Sequence, residues 1–417
     1  MSSPDARLAA DRVVVAVARD SYARLLAWLA YQWRDVAAAE DALGTALSKA
    51  IVVWSEQGIP DSPEAWLIGV AKRELLQAAR HQRLHDSPEV QAVLKMADES
   101  AELPSLPDDR LKLLFVCAHP AIDVSIRPAL MLQTVLGLNA QVVAQVMLTS
   151  PAAMAQRLVR AKQKIRDARL RFEEPASDEL PERLHAVLDA IYAVYGLGWD
   201  VGAGAEESSA FQAIGMCEEA LFLGSLVCQL LPQEPETWGL LALMHFCESR
   251  KAAREDVKGC FIPLLEQDTA LWNQTEIRLA EQCLRRAADM GSTGPFQLEA
   301  AIQSAHCQRL FSGETPWQAI ADLYQQLVAL APTVGAQVSC AVACAQAGDS
   351  VRAQRMLDTV ERANVVNYQP FWVAKGHLAR MQGQIAVARE YTMRAAGLTS
   401  SPSIRSYLLA QLDAVER

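Results

Sequence analysis

The chain has 417 residues and 51% hydrophobic content, which is enough for two or three domains with their own cores and excludes wholesale disorder. Its net charge of −10 is uneven: residues 1–175 hold 21 Lys and Arg against 21 Asp and Glu, leaving 18 against 28 for residues 176–417. The overall acidity therefore does not exclude a nucleic-acid partner for the N-terminal part. The longest nearly apolar run, 220–231, is too short to cross a bilayer, and no signal-type apolar core precedes Val13. With nine cysteines and no C-x-x-C pair, the expectation is a cytoplasmic protein with free, mostly buried thiols and no membrane contact.

Residues 8–84 show helical periodicity interrupted at Gly58-Ile-Pro-Asp-Ser-Pro63, which predicts a small helical bundle. Trp66 lies in it as a candidate stacking surface or, on the simpler reading, as core. Residues 85–107, with Asp86-Ser-Pro88 and Leu103-Pro-Ser-Leu-Pro107, have linker composition. Residues 108–172 form a second helical unit. Within it Cys117 and His119 are two possible metal ligands with nothing nearby to complete four, so helix packing and termination at Pro120 is the reading, and no metal is expected.

The segment 136–166 is the most informative part of that unit. Val142, Val143, Val146 and Met147 share one helical face, and Leu148-Thr149-Ser150 then break the pattern. Ser150 is placed to cap a new helix, with Pro151 at the first helical position, where a missing N–H does no harm. In that helix Met154, Leu158, Ala161 and Ile165 form an apolar stripe, while Gln156, Arg157, Arg160, Lys162, Lys164 and Arg166 lie mostly on other faces. This is the pattern of a helix-turn-helix whose second helix offers amide and guanidinium groups to base edges and phosphates. An ordinary helical hairpin with solvated charges is the competing reading of the same residues.

After the joining segment 173–181, residues 182–417 read as continuous helical hairpins. Ala341-Val-Ala-Cys-Ala-Gln-Ala-Gly348, with Ala353 and Leu357, resembles Gly376-His-Leu-Ala-Arg-Met-Gln-Gly383, with Ala388 and Tyr391. The two closing glycines are 35 residues apart, close to the roughly 34-residue period of tetratricopeptide repeats. Residues 219–243 look like a more degenerate pair. Such stacks form concave surfaces for a protein or peptide partner, and an acidic one favours a basic partner or this protein's own basic helix.

Three further strings carry a family resemblance: Ala38-Ala-Glu-Asp-Ala-Leu-Gly-Thr-Ala-Leu47, Gly58-Ile-Pro-Asp-Ser-Pro-Glu-Ala-Trp-Leu67 with Trp54, and Ala71-Lys-Arg-Glu-Leu-Leu-Gln-Ala-Ala-Arg-His-Gln-Arg83. They resemble region 2 of extracytoplasmic-function sigma factors, and the helix-turn-helix resembles their region 4. Asp108-Asp-Arg-Leu-Lys-Leu-Leu-Phe-Val-Cys-Ala-His-Pro120 and Met154-Ala-Gln-Arg-Leu-Val-Arg-Ala-Lys-Gln-Lys-Ile-Arg166 are similar to the subgroup with a long helical C-terminal extension. Gly294-Pro-Phe-Gln-Leu-Glu-Ala-Ala-Ile302, Asp268 and Trp272 match that extension too.

The resemblance implies an all-α protein: a region 2 bundle at 8–84, a linker, a region 4 domain at 108–172 and an α-solenoid of tetratricopeptide-like hairpins at 182–417. It implies a dissociable subunit of core RNA polymerase that directs initiation at promoter DNA, without catalytic residues or a cofactor. Glu40, Asp41, Leu43 and Leu47 match the helix that docks on polymerase, although Gly44-Thr45 stands where the family has Gln-Glu. Lys72, Arg73, Arg80 and Arg83 match the helix that meets the −10 element, here less basic than usual. Gln156, Arg157 and Arg160 are the candidates for the −35 element, with Lys162, Lys164 and Arg166 on the DNA backbone. An enzyme hidden in the extension is the competing class, against which stand the lack of a phosphate-cradling glycine loop, a His-rich metal spacing or a nucleophile motif. His185, His245, His306 and His377 are scattered helix histidines. A sigma-derived adaptor that has lost promoter melting and works through its repeats is the third reading.

Overall fold

The computed structural model describes residues 4–81, 110–147, 149–168, 170, 175–176, 179–199, 207–360, 365–399 and 401–414. Among them the protein is all-α, with one isolated antiparallel bridge between Glu255 and Phe261. Two compact units divide the chain, residues 1–194 and 195–417.

The first unit begins with α1 (Pro4–Trp33), α2 (Val36–Gln57) and α3 (Pro63–His81). Asp35 starts α2 by accepting the Ala38 N–H at 3.1 Å, and Gly58, at φ 91°, ends it while its own N–H bonds to the Trp54 carbonyl. Leu25, Leu26, Leu29, Leu43, Trp54 and Leu67 are buried where the three helices meet. Trp66 packs edge-on against buried Trp54 with ring centroids 5.4 Å apart and is itself half-buried.

Four short helices follow: α4 (Arg110–Cys117), α5 (Arg127–Thr134), α6 (Ala140–Val146) and α7 (Pro151–Asp167). Sequence composition divided residues 8–84 from 108–172, whereas both fall in one compact unit, because α7 lies against α2 and α4 against α1. The linker predicted at 85–107 lies outside the described residues. The C-terminal boundary also differs from the one read at 173–181: it falls inside α8 (Leu180–Trp199). Arg183, near the start of α8, donates to the Phe115 carbonyl at 2.9 Å within the first unit. Tyr195 donates to Glu248 at 3.0 Å within the second.

The second unit runs through α9 (Glu207–Leu230), α10 (Pro235–Ser249), α11 (Gln274–Asp289), α12 (Pro295–Cys307), the single turn α13 (Arg309–Ser312), α14 (Trp317–Leu330), α15 (Val334–Gln346), α16 (Ser350–Thr359), α17 (Gln369–Met381), α18 (Ile385–Leu398) and α19 (Pro402–Ala414). Helices next to each other in the chain pack on each other from α14 to α19. The two segments read as similar are both helical hairpins, α15–α16 and α17–α18, and each turns at a positive-φ glycine, Gly348 at 98° and Gly383 at 71°. Ala341, Cys344, Ala345, Ala353 and Leu357 line the first hairpin's core, and Leu378, Ala379 and Ala388 the second's. The last helix returns to the 255–271 segment, where the Tyr407 hydroxyl donates to Glu266 at 2.6 Å and its ring meets Phe261 edge-on at 5.7 Å.

Candidate nucleic-acid interface

The turn into α7 follows the chemistry read from sequence. Asn139 Oδ1 accepts the Val142 N–H at 3.0 Å at the start of α6, and Ser150 Oγ accepts the Ala153 N–H at 3.2 Å, ahead of Pro151. Met154, Leu158, Ala161 and Ile165 are all buried, so the stripe docks α7 on its own domain. No acidic residue interrupts residues 151–166. The segment before α6 rests on the first bundle, because a Cβ on Gly137, at φ 69°, would stand 3.0 Å from the Tyr22 ring. Burial, with Glu40 and Asp41 close by, pushes the Tyr22 hydroxyl above its ordinary pKa.

The six residues of α7 assigned to DNA divide into two groups. Gln156, Arg160 and Lys164 are exposed, and among the described residues neither Arg160 nor Lys164 forms an ion pair. The other three are held by the protein. Arg157 donates to Ser125 Oγ at 2.9 Å, and Ser125 donates in turn to Asp123 at 2.6 Å. Those Ser125 bonds, from its hydroxyl and from its N–H, hold the Asp123 carboxyl below its usual pKa. Lys162 donates to Glu40 in an ion pair whose side chains are only 10% and 19% exposed. Arg166 straddles Asp35, Nε to Oδ2 at 2.9 Å and Nη2 to Oδ1 at 3.0 Å. Phosphate contacts by Lys162 and Arg166, as expected from sequence, would require breaking these pairs first.

The four residues assigned to polymerase share α2 but not one environment. Asp41 is exposed and Leu47 half-buried, Glu40 is covered by Lys162, and Leu43 is fully buried among α1–α3. Leu43 therefore serves the core and cannot be a docking contact while the bundle is intact. Gly44 leaves open space where a Cβ would stand, so the substitution there is not a packing requirement. On α3, Lys72 lies 4.8 Å from the Trp28 ring centre, and partial burial lowers its pKa. Arg73 is exposed with Nε on the Gly69 carbonyl at 3.1 Å. Arg80 is in α3 but its side chain, like the whole of Arg83, lies outside the described residues.

Cys117 and His119 make separate local contacts. Burial pushes the Cys117 thiol up to about 12, with Sγ 3.1 Å from Thr134 Oγ1, while His119 Nδ1 accepts the Ala121 N–H at 3.0 Å. Among the described residues no group of three or more His, Cys, Asp or Glu could hold a metal, and no helix is long and apolar enough to cross a membrane. All nine cysteines are free thiols, seven of them buried.

In the extension Asp268 caps a short turn by accepting the Ala270 N–H at 2.9 Å, and Trp272 is buried with its N–H on Gln267 at 3.3 Å. Gly294 stands where a Cβ would come within 2.5 Å of Glu236, whose carboxylate accepts the Phe296 and Gln297 N–H groups at the start of α12. His185 faces Asp189 at 3.5 Å, His245 Glu276 at 2.6 Å and His377 Gln346 at 2.8 Å. Buried His306 meets Trp317 edge-on at 5.5 Å.

Sequence reasoning missed Asp35 and Ser125 as anchors of α7. Nothing local connects Asp35 to Arg166, 131 residues away, or Ser125 to Arg157, 32 residues away.

The fold defines an all-α protein with a capped two-helix turn and a basic second helix. It belongs to one family with the uncharacterised protein R00370 of Rhizobium meliloti (strain 1021), to which it is 33% identical over 389 residues, 91% of this chain and 90% of that one. Residues 183–288, from α8 to α11, match a family described as of unknown function (DUF6596). No solved structure matches.

Proposed function

We propose that this chain is a sigma factor of the extracytoplasmic-function type, which binds core RNA polymerase and directs it to particular promoters without catalysing a reaction itself. The reading takes α1–α3 as region 2, α4–α7 as region 4 and the C-terminal hairpins as a tetratricopeptide-like solenoid that regulates the protein or binds a protein or peptide partner. The observation that carries it is the exposed face of α7, where Gln156, Arg160 and Lys164 stand on a helix with no acidic residue before Asp167. On this reading α7 must leave α2 before Glu40 can meet polymerase and Lys162 and Arg166 can meet phosphate.

A pull-down of core RNA polymerase with the full chain, followed by run-off transcription from the protein's own upstream region, tests the proposal. Binding with a specific transcript supports it; absence of binding refutes it. Arg160→Ala and Lys164→Ala should each lower the salt slope of promoter binding by about 1, the signature of one lost phosphate contact.

One observation favours a second reading, a sigma-derived adaptor acting only through its hairpins. Of the four residues assigned to polymerase, Leu43 is core and Glu40 is occupied by Lys162. An adaptor would fail the pull-down and still capture a protein partner through residues 195–417.

A further inference from the structure

Val159 is 66% exposed and off the buried stripe of α7, with Gln156 one turn before it on the helix surface and Arg160 one turn beyond Gln156. Nothing in the fold calls for it. It adds almost nothing to the core, and a β-branched residue on an exposed helix surface is less favourable than alanine. Its neighbours Gln156 and Arg160 carry the groups that bond adenine and guanine edges in the major groove. An apolar side chain on the flank of Gln156 matches the one apolar group of that groove, the C5-methyl of thymine. At the far end of the helix Gln163 bonds Asp167 at 2.7 Å, Lys162 bonds Glu40 and Arg166 bonds Asp35, which leaves Lys164 as the open cation there among the described residues.

We infer that Val159 is a specificity-determining residue that reads a thymine methyl group, beside the base that Gln156, its neighbour one turn back, would read. This rests on the reading of α7 as a DNA-binding helix, and the positive charge of residues 151–166, which contain no acidic residue, is what selects DNA as the occupant of the face.

The test begins by selecting duplexes from a randomised library with the full chain and core RNA polymerase. In the selected duplex each thymine is then replaced in turn by deoxyuridine, which lacks only the methyl. At one position the replacement should weaken binding of the unmodified protein about three- to fivefold, the worth of one buried methyl. Val159→Ala should bind the thymine and deoxyuridine duplexes equally and lose that discrimination alone. The fold has no use for the valine methyls, so Val159→Ala should unfold no earlier than the parent, which separates recognition from misfolding. Enrichment of a duplex with no thymine-to-deoxyuridine effect, or with the effect intact in Val159→Ala, overturns the role of Val159 and leaves the DNA reading standing. No enrichment at all overturns both.

Discussion

Removing Lys162 should loosen α7 from α2 while removing its partner as well should not. The pair is formed by side chains 10% and 19% exposed, so Lys162→Met strands the Glu40 carboxylate in a largely dry site. Stranding one member of a buried pair costs about 3–5 kcal/mol, and because Glu40 keeps some solvent, about 2–4 kcal/mol is expected here. Deleting both charges, as in Lys162→Met with Glu40→Leu, should return to within about 1 kcal/mol of the parent, since neither charge then needs solvation. The readout is hydrogen exchange of the backbone amides of residues 151–167 in the full chain, which reports local opening directly. Lys162→Met should speed that exchange about 30- to 700-fold, and the double variant should restore it to within about fivefold. Exchange in Lys162→Met within threefold of the parent, or additive effects of the two substitutions, would show that the pair does not hold α7 in place.

Three further outcomes follow from the same geometry. Gly294→Ala forces the Glu236 carboxylate away from the start of α12, so the second unit should lose about 1–2 kcal/mol, and Gly294→Ala combined with Glu236→Ala should be no worse than Glu236→Ala alone; additive losses by thermal unfolding would contradict the capping role. Burial, with Arg250 and Arg309 nearby, holds His306 down to about 3, so the unfolded chain takes up a proton below pH 6.5 that the folded one refuses. Stability should therefore fall between pH 6.5 and 3 by up to about 1.4 kcal/mol per pH unit, and denaturant titrations of His306→Gln should lack that slope. Gly44→Ala should stabilise α2 by about 1 kcal/mol, because a Cβ there meets nothing within 4 Å; a loss of helix protection in hydrogen exchange would refute the reasoning.

Local pattern was enough for much of this protein. The 3.6-residue period put Met154, Leu158, Ala161 and Ile165 on one face, and all four are buried, because a helix brings residues three and four apart together whatever surrounds it. Ser150, Pro151, Gly348 and Gly383 marked ends and turns for equally local reasons, a capping hydroxyl, a missing N–H and a positive φ. Periodicity says which residues share a face and not what covers that face. Lys162 finds Glu40 122 residues away and Arg166 finds Asp35 131 away, so the split of α7 into a docked part and an open part was invisible in the string. The same holds for Leu43, read from sequence as a docking contact and buried where α1 and α3 close over it. The boundary inside α8 likewise came from where Arg183 and Tyr195 found partners, which composition does not encode. What the sequence determined by itself are the helices, their caps and their apolar stripes, all set within a few residues along the chain. What only the tertiary structure decided is which charged groups remain open to a partner, because that depends on ion pairs and burial between segments far apart in the chain.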